Sequence, residues 1–230
     1  MNDFLAESGY FGLFFGLLVF WASTKLCTKL RSSLANPLLL TTAAVILFLT
    51  VFQVDYETFD RGASHLTYFL TPATVALAIP MYKQVSLLKK NLAAIFLGIL
   101  SGIAANILCI LGLCLLFRLD PEIYHSLLPK SVTTAIAIGV STEIGGVPSL
   151  TVAAVVITGL FGSSVARIVF RLCRIRHPVA AGLACGNSAH AIGTVAALEI
   201  GEVEGAMSGL AMVIAGVLTA ILAPFAAGFL

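Results

Sequence analysis

The sequence predicts an all-α integral membrane protein with seven to eight membrane segments, some of them discontinuous or re-entrant. Two observations lead to this fold class. Hydrophobic residues make up 59% of the chain and charged residues only 10%, whereas soluble domains average roughly 45–50% and about 25%. The apolar stretches also match the length of a membrane-spanning helix, and two of them are interrupted by Gly and polar side chains. Residues 1–230 are treated as one membrane domain.

The first four apolar segments cover residues 8–24, 37–54, 66–82 and 92–117. Asp3 and Glu7 precede the first segment, where a signal peptide would carry positive charge, so we expect this segment to remain as a transmembrane helix. The fourth segment contains Gly98-x-x-x-Gly102, a pattern that favours close helix packing, and a lone Asn106.

The distribution of Lys and Arg predicts the orientation. These residues concentrate in 25–31, 83–90 and 167–176, and short loops rich in them face the cytoplasm. The acidic stretches 55–61 and 118–125 are expected outside, together with the amino terminus. The formal net charge of +2 is too small to indicate nucleic-acid binding.

This orientation requires an odd number of crossings between residues 125 and 167. Two apolar pieces lie there, 128–140 and 147–166, and the first is short for a span. We therefore predict that 128–145 dips into the membrane as a half-helix or re-entrant piece and that 147–166 crosses. For residues 178–197 both crossing and return stay open, and residues 206–230 form a last uninterrupted segment.

An internal repeat is suggested by residues 74–80 and 133–139, which share a Thr- and Ala-rich pattern. Each copy ends at a helix-breaking residue and follows a Pro, and paired broken segments are typical of transporter binding sites. The alternative is chance, because short matches of small apolar residues arise easily in apolar sequence.

The first interrupted stretch offers hydroxyl groups after a proline. We predict that Ser131, Thr133 and Thr134 bind substrate. They follow Pro129, which suits the first turn of a helix. A half-helix that starts inside the membrane presents free N–H groups that bind small anions. The alternative is that these hydroxyls bond their own backbone. Lys130 is a secondary candidate that could attract an anion. The sequence places it near the outer interface, and the alternative is that its side chain simply extends to that interface.

Glu143 is a candidate for ion or proton coupling. It lies between Ser141 and Thr142, which are secondary site candidates, and the pair Gly145-Gly146. A carboxylate within the membrane is costly unless it is paired, hydrated or protonated, and a group that must be protonated there is suited to carry a proton. The alternative is a solvated turn residue at the membrane surface.

The second interrupted stretch contains an amide, two hydroxyls and an imidazole. Asn187, Ser188, His190 and Thr194 fall within one short interval. Asn187 and Ser188 are predicted to bind substrate, His190 to take part in coupling, and Thr194 to play a secondary part. If this segment is helical, Asn187 and His190 share a face. The alternative for His190 is a packing residue, and its proximity to Glu143 is a hypothesis.

The sequence contains no motif that indicates an enzyme. It has no G-x-S-x-G, H-E-x-x-H, G-x-x-x-x-G-K-[ST] or G-x-G-x-x-G pattern. The five cysteines are scattered, without the C-x-x-C spacing of a metal or redox site. We therefore predict no enzymatic activity, no metal and no cofactor.

Several segments resemble the LrgB/CidB family of bacterial membrane proteins. The matching segments are 128–134, 143–151, 174–178, 188–194 and 204–208, so the resemblance covers nearly the whole chain. One departure is Ala135, where many family members have a proline, and this leaves the position of the kink there less defined.

The resemblance implies a multi-pass protein of the bacterial inner membrane and two readings of its function. In one, the protein is an antiholin- or holin-like regulator of murein hydrolase activity and cell lysis. In the other, it carries small monocarboxylates such as pyruvate, glycolate or glycerate, as in the related plastid glycolate/glycerate transporter. The resemblance also implies a small LrgA/CidA-type membrane partner, and self-association is a further expectation.

The polar residues favour the carrier. A lysis regulator needs packing faces, whereas hydroxyls, Glu143 and His190 in broken helices suit the binding and coupled transport of an acid. We therefore predict a proton- or ion-coupled monocarboxylate carrier, with the lysis regulator as the alternative.

Overall fold

The computed structural model describes residues 8–30, 37–69, 72, 75–76, 78–83 and 85–230, and the regular elements in these residues are all helical. The chain divides into two compact units, residues 1–76 and residues 77–230. Each is described separately. The prediction of a single domain stays a prediction.

Four elements with defined bounds lie in the described part of the amino-terminal unit: the helices α1 (Phe11–Leu30), α2 (Pro37–Val51) and α3 (Tyr56–Ala63), and the 3-10 helix Ser64–Phe69. Helices α1 and α3 approach closely at Gly12, where an added Cβ would overlap the carbonyl oxygen of Phe59. Helices α1 and α2 share an aromatic contact, in which the ring centroids of Phe15 and Phe48 are 4.3 Å apart. The predicted segment 66–82 lies partly outside the described residues, and its described part includes the end of the 3-10 helix.

The second unit contains the remaining helices: α4 (Ala78–Lys83), α5 (Val85–Lys90), α6 (Leu92–Phe117), α7 (Pro121–Leu127), α8 (Thr134–Glu143), α9 (Pro148–Leu172), α10 (Pro178–Ile200) and α11 (Glu202–Ala227). Three of them begin at a proline, which the first turn tolerates because its N–H needs no partner there. The main core joins α6, α10 and α11, with Ile99, Leu183 and Met207 among its buried residues.

The two ends of this unit are distinguished by their side-chain contacts. At one end Arg167 pairs with Glu199 at 3.3 Å and Lys83 pairs with Glu202 at 3.1 Å. We call this the basic end. At the other end, the α7 end, the hydroxyl of Tyr124 donates a hydrogen bond of 2.8 Å to the carbonyl of Ala226. Helices α6 and α11 therefore run from the basic end to the α7 end.

Residues 121–147 form a first hairpin that starts and finishes at the α7 end. The backbone N–H of Val147 donates to the hydroxyl of Ser126 at 2.7 Å, so the chain has returned to the level of α7 before α9 begins. This is the reversal that the crossing count predicted. The half-helix, however, begins at Thr134 and not at Pro129, because residues 128–131 form turns.

Residues 178–200 of α10 form a second hairpin, which starts and finishes at the basic end. The helix breaks at Ala189 and His190, whose φ/ψ angles are −131°/19° and 42°/−132°. A Cβ added to Gly193 would overlap the carbonyl oxygen of Cys185, although residues eight apart in a continuous helix are separated by about 12 Å. The question that the sequence left open is answered here: the chain turns back after residue 188.

Four helices in the described residues are long and apolar enough to cross a membrane: Phe11–Lys29, Leu92–Phe117, Pro148–Leu172 and Glu202–Ala227. Helix α2 is apolar but shorter. The count of seven to eight segments stays a prediction. So does the repeat, because residues 73–74 and 77 of its first copy lie outside the described residues. The second unit does contain one recurring arrangement: a hairpin followed by a long helix occurs twice, as residues 121–147 with α9 and as residues 178–200 with α11.

Candidate functional site

A cavity of about 1010 Å³ lies between α6, α9 and the first half of α10. Its lining begins at the basic end with Asn91, Phe170 and His177. At its inner end it reaches Lys130 and Ser131 in the turn between α7 and α8. The cavity is therefore elongated and extends from the basic end to the tip of the first hairpin.

Asn106 joins the tip of the first hairpin to the middle of α6. Its amide nitrogen donates to the carbonyl of Leu128 at 3.2 Å, and the hydroxyl of Ser131 donates to its amide oxygen at 3.2 Å. Both polar atoms of the Asn106 side chain are thus used, as expected for an amide in an apolar helix. The two bonds fix Ser131 on the cavity wall.

Asn187 joins the second hairpin to the same helix. Its amide nitrogen donates to the carbonyl of Ile99 at 3.0 Å. The side chain lies directly over Gly102, where an added Cβ would overlap the amide nitrogen. The predicted packing role of the Gly98-x-x-x-Gly102 pattern is thus visible at Gly102, which leaves room for a polar group. The amide oxygen of Asn187 has no partner among the described residues.

Ser188 and Lys130 complete the polar lining at the inner end. The Ser188 hydroxyl is exposed to the cavity and donates to the carbonyl of Ala184 at 2.6 Å, so its oxygen still has lone pairs to accept hydrogen bonds. Lys130 is half-buried and forms no ion pair with any described residue. No acidic side chain is among the described residues that line the cavity.

The position of Lys130 differs from the one expected. The sequence placed it near the outer interface, but it lies next to the Asn106 contact at the middle of α6. The reason is that α7 carries the chain inward before the turn that contains Lys130.

The other candidates of the first stretch lie outside the cavity. Thr133 precedes α8, and Thr134 is its first residue. The Thr142 hydroxyl bonds the backbone of Ile138 at 2.8 Å, which was the alternative considered for hydroxyls of this stretch.

Ser141 and Glu143 lie towards the end of α8. Ser141 is fully buried and accepts a hydrogen bond of 2.6 Å from Thr151 of α9. Glu143, the last residue of α8, is exposed and forms no hydrogen bond or ion pair with a described residue. The structure thus places Glu143 in the position of the alternative, a turn carboxylate at the α7 end.

His190 is only 4% exposed and faces α9, away from the cavity. Its Nε2 lies 3.1 Å from the carbonyl oxygen of Val155, and its ring covers Gly159. The condition under which His190 and Asn187 would share a face is not met, because the helix breaks at Ala189 and His190. The structure gives no contact between His190 and Glu143.

Thr194 stabilises the break in α10. Its hydroxyl lies 3.1 Å from the carbonyl of His190 and 3.0 Å from the hydroxyl of Ser208 on α11. It therefore supports the hairpin and does not line the cavity.

Both hairpin tips contact Val155, in the first third of α9. Val132 and Ala137 of the first hairpin pack against Val155, and the carbonyl of the same Val155 faces His190 of the second. Of the residues predicted from sequence, the structure brings Lys130, Ser131, Asn187 and Ser188 to one cavity. Asn106 was noted in the sequence but not assigned to the site, although a lone amide in an apolar helix is a signal of buried hydrogen bonding.

These features define a class: an all-helical membrane protein in which two broken segments contribute polar side chains to one cavity. A model of the LrgB-like family matches residues 16–229. The chain is 35% identical over 216 residues to the antiholin-like protein LrgB of Bacillus cereus (strain B4264), which covers 94% of both chains. The antiholin-like protein LrgB of Bacillus anthracis (strain CDC 684 / NRRL 3495) matches with the same values. No solved structure matches the chain.

The chain therefore belongs to the LrgB-like family. The resemblance noted in the sequence is confirmed. Among the described residues, no group of three or more His, Cys, Asp or Glu residues could hold a metal ion.

Proposed function

We propose that this protein is a multi-pass inner-membrane carrier for small monocarboxylates of the pyruvate, glycolate or glycerate class. The observation that supports this function most directly is the convergence of two distant segments, residues 130–131 and 187–188, on one cavity. Broken helices that meet at mid-depth are the usual form of a binding site in a membrane carrier, because the freed backbone groups and polar side chains hold the substrate there.

The substrate site consists of Ser131, Asn187 and Ser188, with Asn106 added as a positioning residue. Asn187 and Ser188 line the cavity, and their amide and hydroxyl groups can bind the hydroxyl or keto end of a three-carbon acid. Thr133 and Thr134 stay in the proposal as substrate-binding residues of the first hairpin. They lie at the start of α8, directly after the turn that contains Ser131.

Coupling is assigned to two separate positions. His190 holds the break of the second hairpin against α9, and Glu143 lies at the base of the first hairpin. Each hairpin thus has one titratable residue. A proton taken up by His190 alters its contact with Val155, and a proton taken up by Glu143 removes a charge at the base of the first hairpin. Either change can bias an alternating-access carrier between its two conformations.

A second candidate function is an antiholin- or holin-like regulator of murein hydrolase activity and lysis. The observation that favours it is the name of the relatives, which are antiholin-like proteins. Altered flux of an acid could itself produce a lysis phenotype, so the two functions are compatible. In both, a small LrgA/CidA-type protein is the proposed partner, and self-association is part of the proposal.

The test is uptake of labelled pyruvate, glycolate and lactate into proteoliposomes, with and without a pH gradient. We expect saturable uptake of at least one acid, stimulation by the gradient, and reduced stimulation in His190→Ala and Glu143→Gln. Unchanged flux in both variants would remove the coupling assignment. Absence of acid uptake, together with leakage of uncharged solutes, would favour the pore-forming, holin-like class.

A further inference from the structure

Among the described residues that line the cavity, Lys130 is the only Lys or Arg. His177 also lines it, at the opposite end. It is half-buried and has no acidic partner in the described chain. None of the six carboxylates of the second unit lines the cavity. Glu199 and Glu202, for example, form ion pairs at the basic end, and Glu143 is exposed at the α7 end.

An ammonium group in such surroundings calls for an anion. Most residues that line the cavity are apolar, and they include Gly98, Ile157, Phe161 and Leu183. A buried charge is stable when it is paired and hydrogen-bonded, and charges at membrane depth are usually found in pairs. The polar neighbours of Lys130 are Ser131 and Asn106. Both are neutral, and they are already hydrogen-bonded to each other.

We propose that Lys130 binds the carboxylate of the substrate and selects monoanions. One carboxylate neutralises the one ammonium group, whereas a dianion would leave a negative charge in an apolar cavity and an uncharged amide would leave Lys130 without a partner. Asn187 and Ser188, on the opposite hairpin, then contact the other end of the acid. The bound substrate thereby bridges the two hairpins, and this inference rests on the proposed carrier function.

The first experiment uses the wild-type protein in proteoliposomes and needs no variant. Uptake of labelled pyruvate is measured in competition with unlabelled pyruvate, with its uncharged amide, and with the dianion malonate. We expect strong competition by pyruvate and weak competition by the other two compounds. If the amide competes as well as pyruvate, the charge of Lys130 is not used and the inference is overturned.

The second experiment compares Lys130→Gln and Lys130→Arg with Lys90→Gln, a control that removes a basic residue outside the cavity. We expect Lys130→Gln to raise KM for pyruvate by about ten- to a hundredfold, as for the loss of one hydrogen bond to a charged group. Lys130→Arg should retain part of the affinity, and Lys90→Gln should leave KM unchanged. In Lys130→Gln the preference for pyruvate over its amide should also disappear.

The outcomes separate this inference from the proposed function. If the wild type transports no acid, the carrier function fails, and the assignment of Lys130 fails with it. If the wild type transports pyruvate and Lys130→Gln keeps the same KM and selectivity, only the assignment of Lys130 fails. Should Lys130→Gln not fold, the KM of Lys130→Arg and the wild-type competition series still decide the matter.

Discussion

At the scale of single residues, Gly102 and Asn187 show how the absence of a side chain places a polar group in the cavity. The Asn187 amide occupies the space where a Cβ of residue 102 would lie, and from there it reaches the carbonyl of Ile99. Gly112 lies further along the same helix, and a Cβ added there would have no non-local atom within 4 Å. The two glycines therefore form a matched pair.

We expect Gly102→Ala to displace Asn187 and to destabilise the protein by about 1–3 kcal/mol, the usual cost of overpacking. Gly112→Ala should be neutral or stabilising by up to about 1 kcal/mol, because Ala is the better helix former. Thermal unfolding of the purified protein in detergent measures both effects. Equal midpoints for the two variants would contradict the contact between Gly102 and Asn187.

The sequence alone predicted which polar residues are candidates for the site, because this depends only on residue type. Polar groups in apolar stretches stand out, and Ser131, Asn187 and Ser188 were identified in this way. Which of them face a common cavity was not predictable, because side-chain direction depends on where each helix starts and breaks. Glu143 and His190 illustrate this, since one lies at a helix end and the other faces α9.

At the scale of elements, the break in α10 is the feature that the sequence indicated least completely. The apolar pattern of residues 178–197 is compatible with one crossing helix or with a hairpin, since both bury apolar side chains. The return depends on the close approach of Gly193 to Cys185 and on one residue with positive φ. That residue is His190, and a non-glycine residue in this region is unusual.

The break at His190 predicts an order of stability for two variants that is opposite to the order expected in a continuous helix. Both His190→Gly and His190→Ala remove the contact of the ring with Val155, so they differ only in backbone preference. At φ 42° we expect the glycine variant to be the more stable by about 1 kcal/mol, because glycine adopts positive φ without steric cost. In a continuous helix alanine would be favoured by a similar amount.

Thermal unfolding midpoints of the two variants, measured side by side, test this prediction. Ala191 provides the control, because it follows the break in the helical part of α10. There, Ala191→Gly should lower the midpoint. A greater stability of His190→Ala than of His190→Gly would contradict the break at this position.

At the scale of the whole molecule, both hairpins start and end on their own side of the second unit. The first returns to the α7 end and the second to the basic end, and their tips meet at Val155. Counting charges in loops predicted the first return because it required an odd number of crossings. The same count could not predict the second return. The rule counts Lys and Arg, and the loop after residue 197 carries only acidic charges, those of Glu199, Glu202 and Glu204.

The sidedness of three positions tests this topology. In a background without the five native cysteines, we expect Arg167→Cys and Glu199→Cys to react with a membrane-impermeant thiol reagent from the same, cytoplasmic side. Glu122→Cys, at the α7 end, should react only from the outside. If residues 178–200 crossed the membrane, Glu199→Cys would instead react from the same side as Glu122→Cys.

The extent of the cavity leads to a last prediction about access to the site. Ala180 and Ser188 both line the cavity, the first near the basic end and the second near the hairpin tips. In this conformation we expect Ala180→Cys and Ser188→Cys to react with the impermeant reagent from the cytoplasmic side, the former faster because it lies closer to the mouth. Bound pyruvate should slow the reaction of Ser188→Cys more than that of Ala180→Cys.

Val213→Cys is the matched control for this experiment. Val213 is 55% exposed on α11 but does not line the cavity, so a charged reagent should not reach it through the hydrocarbon region. Reaction of Ser188→Cys only from the outside would show that the cavity opens in the opposite direction. Equal reaction of Ser188→Cys from both sides at once would show a continuous pore, because a carrier exposes its binding site to one side at a time.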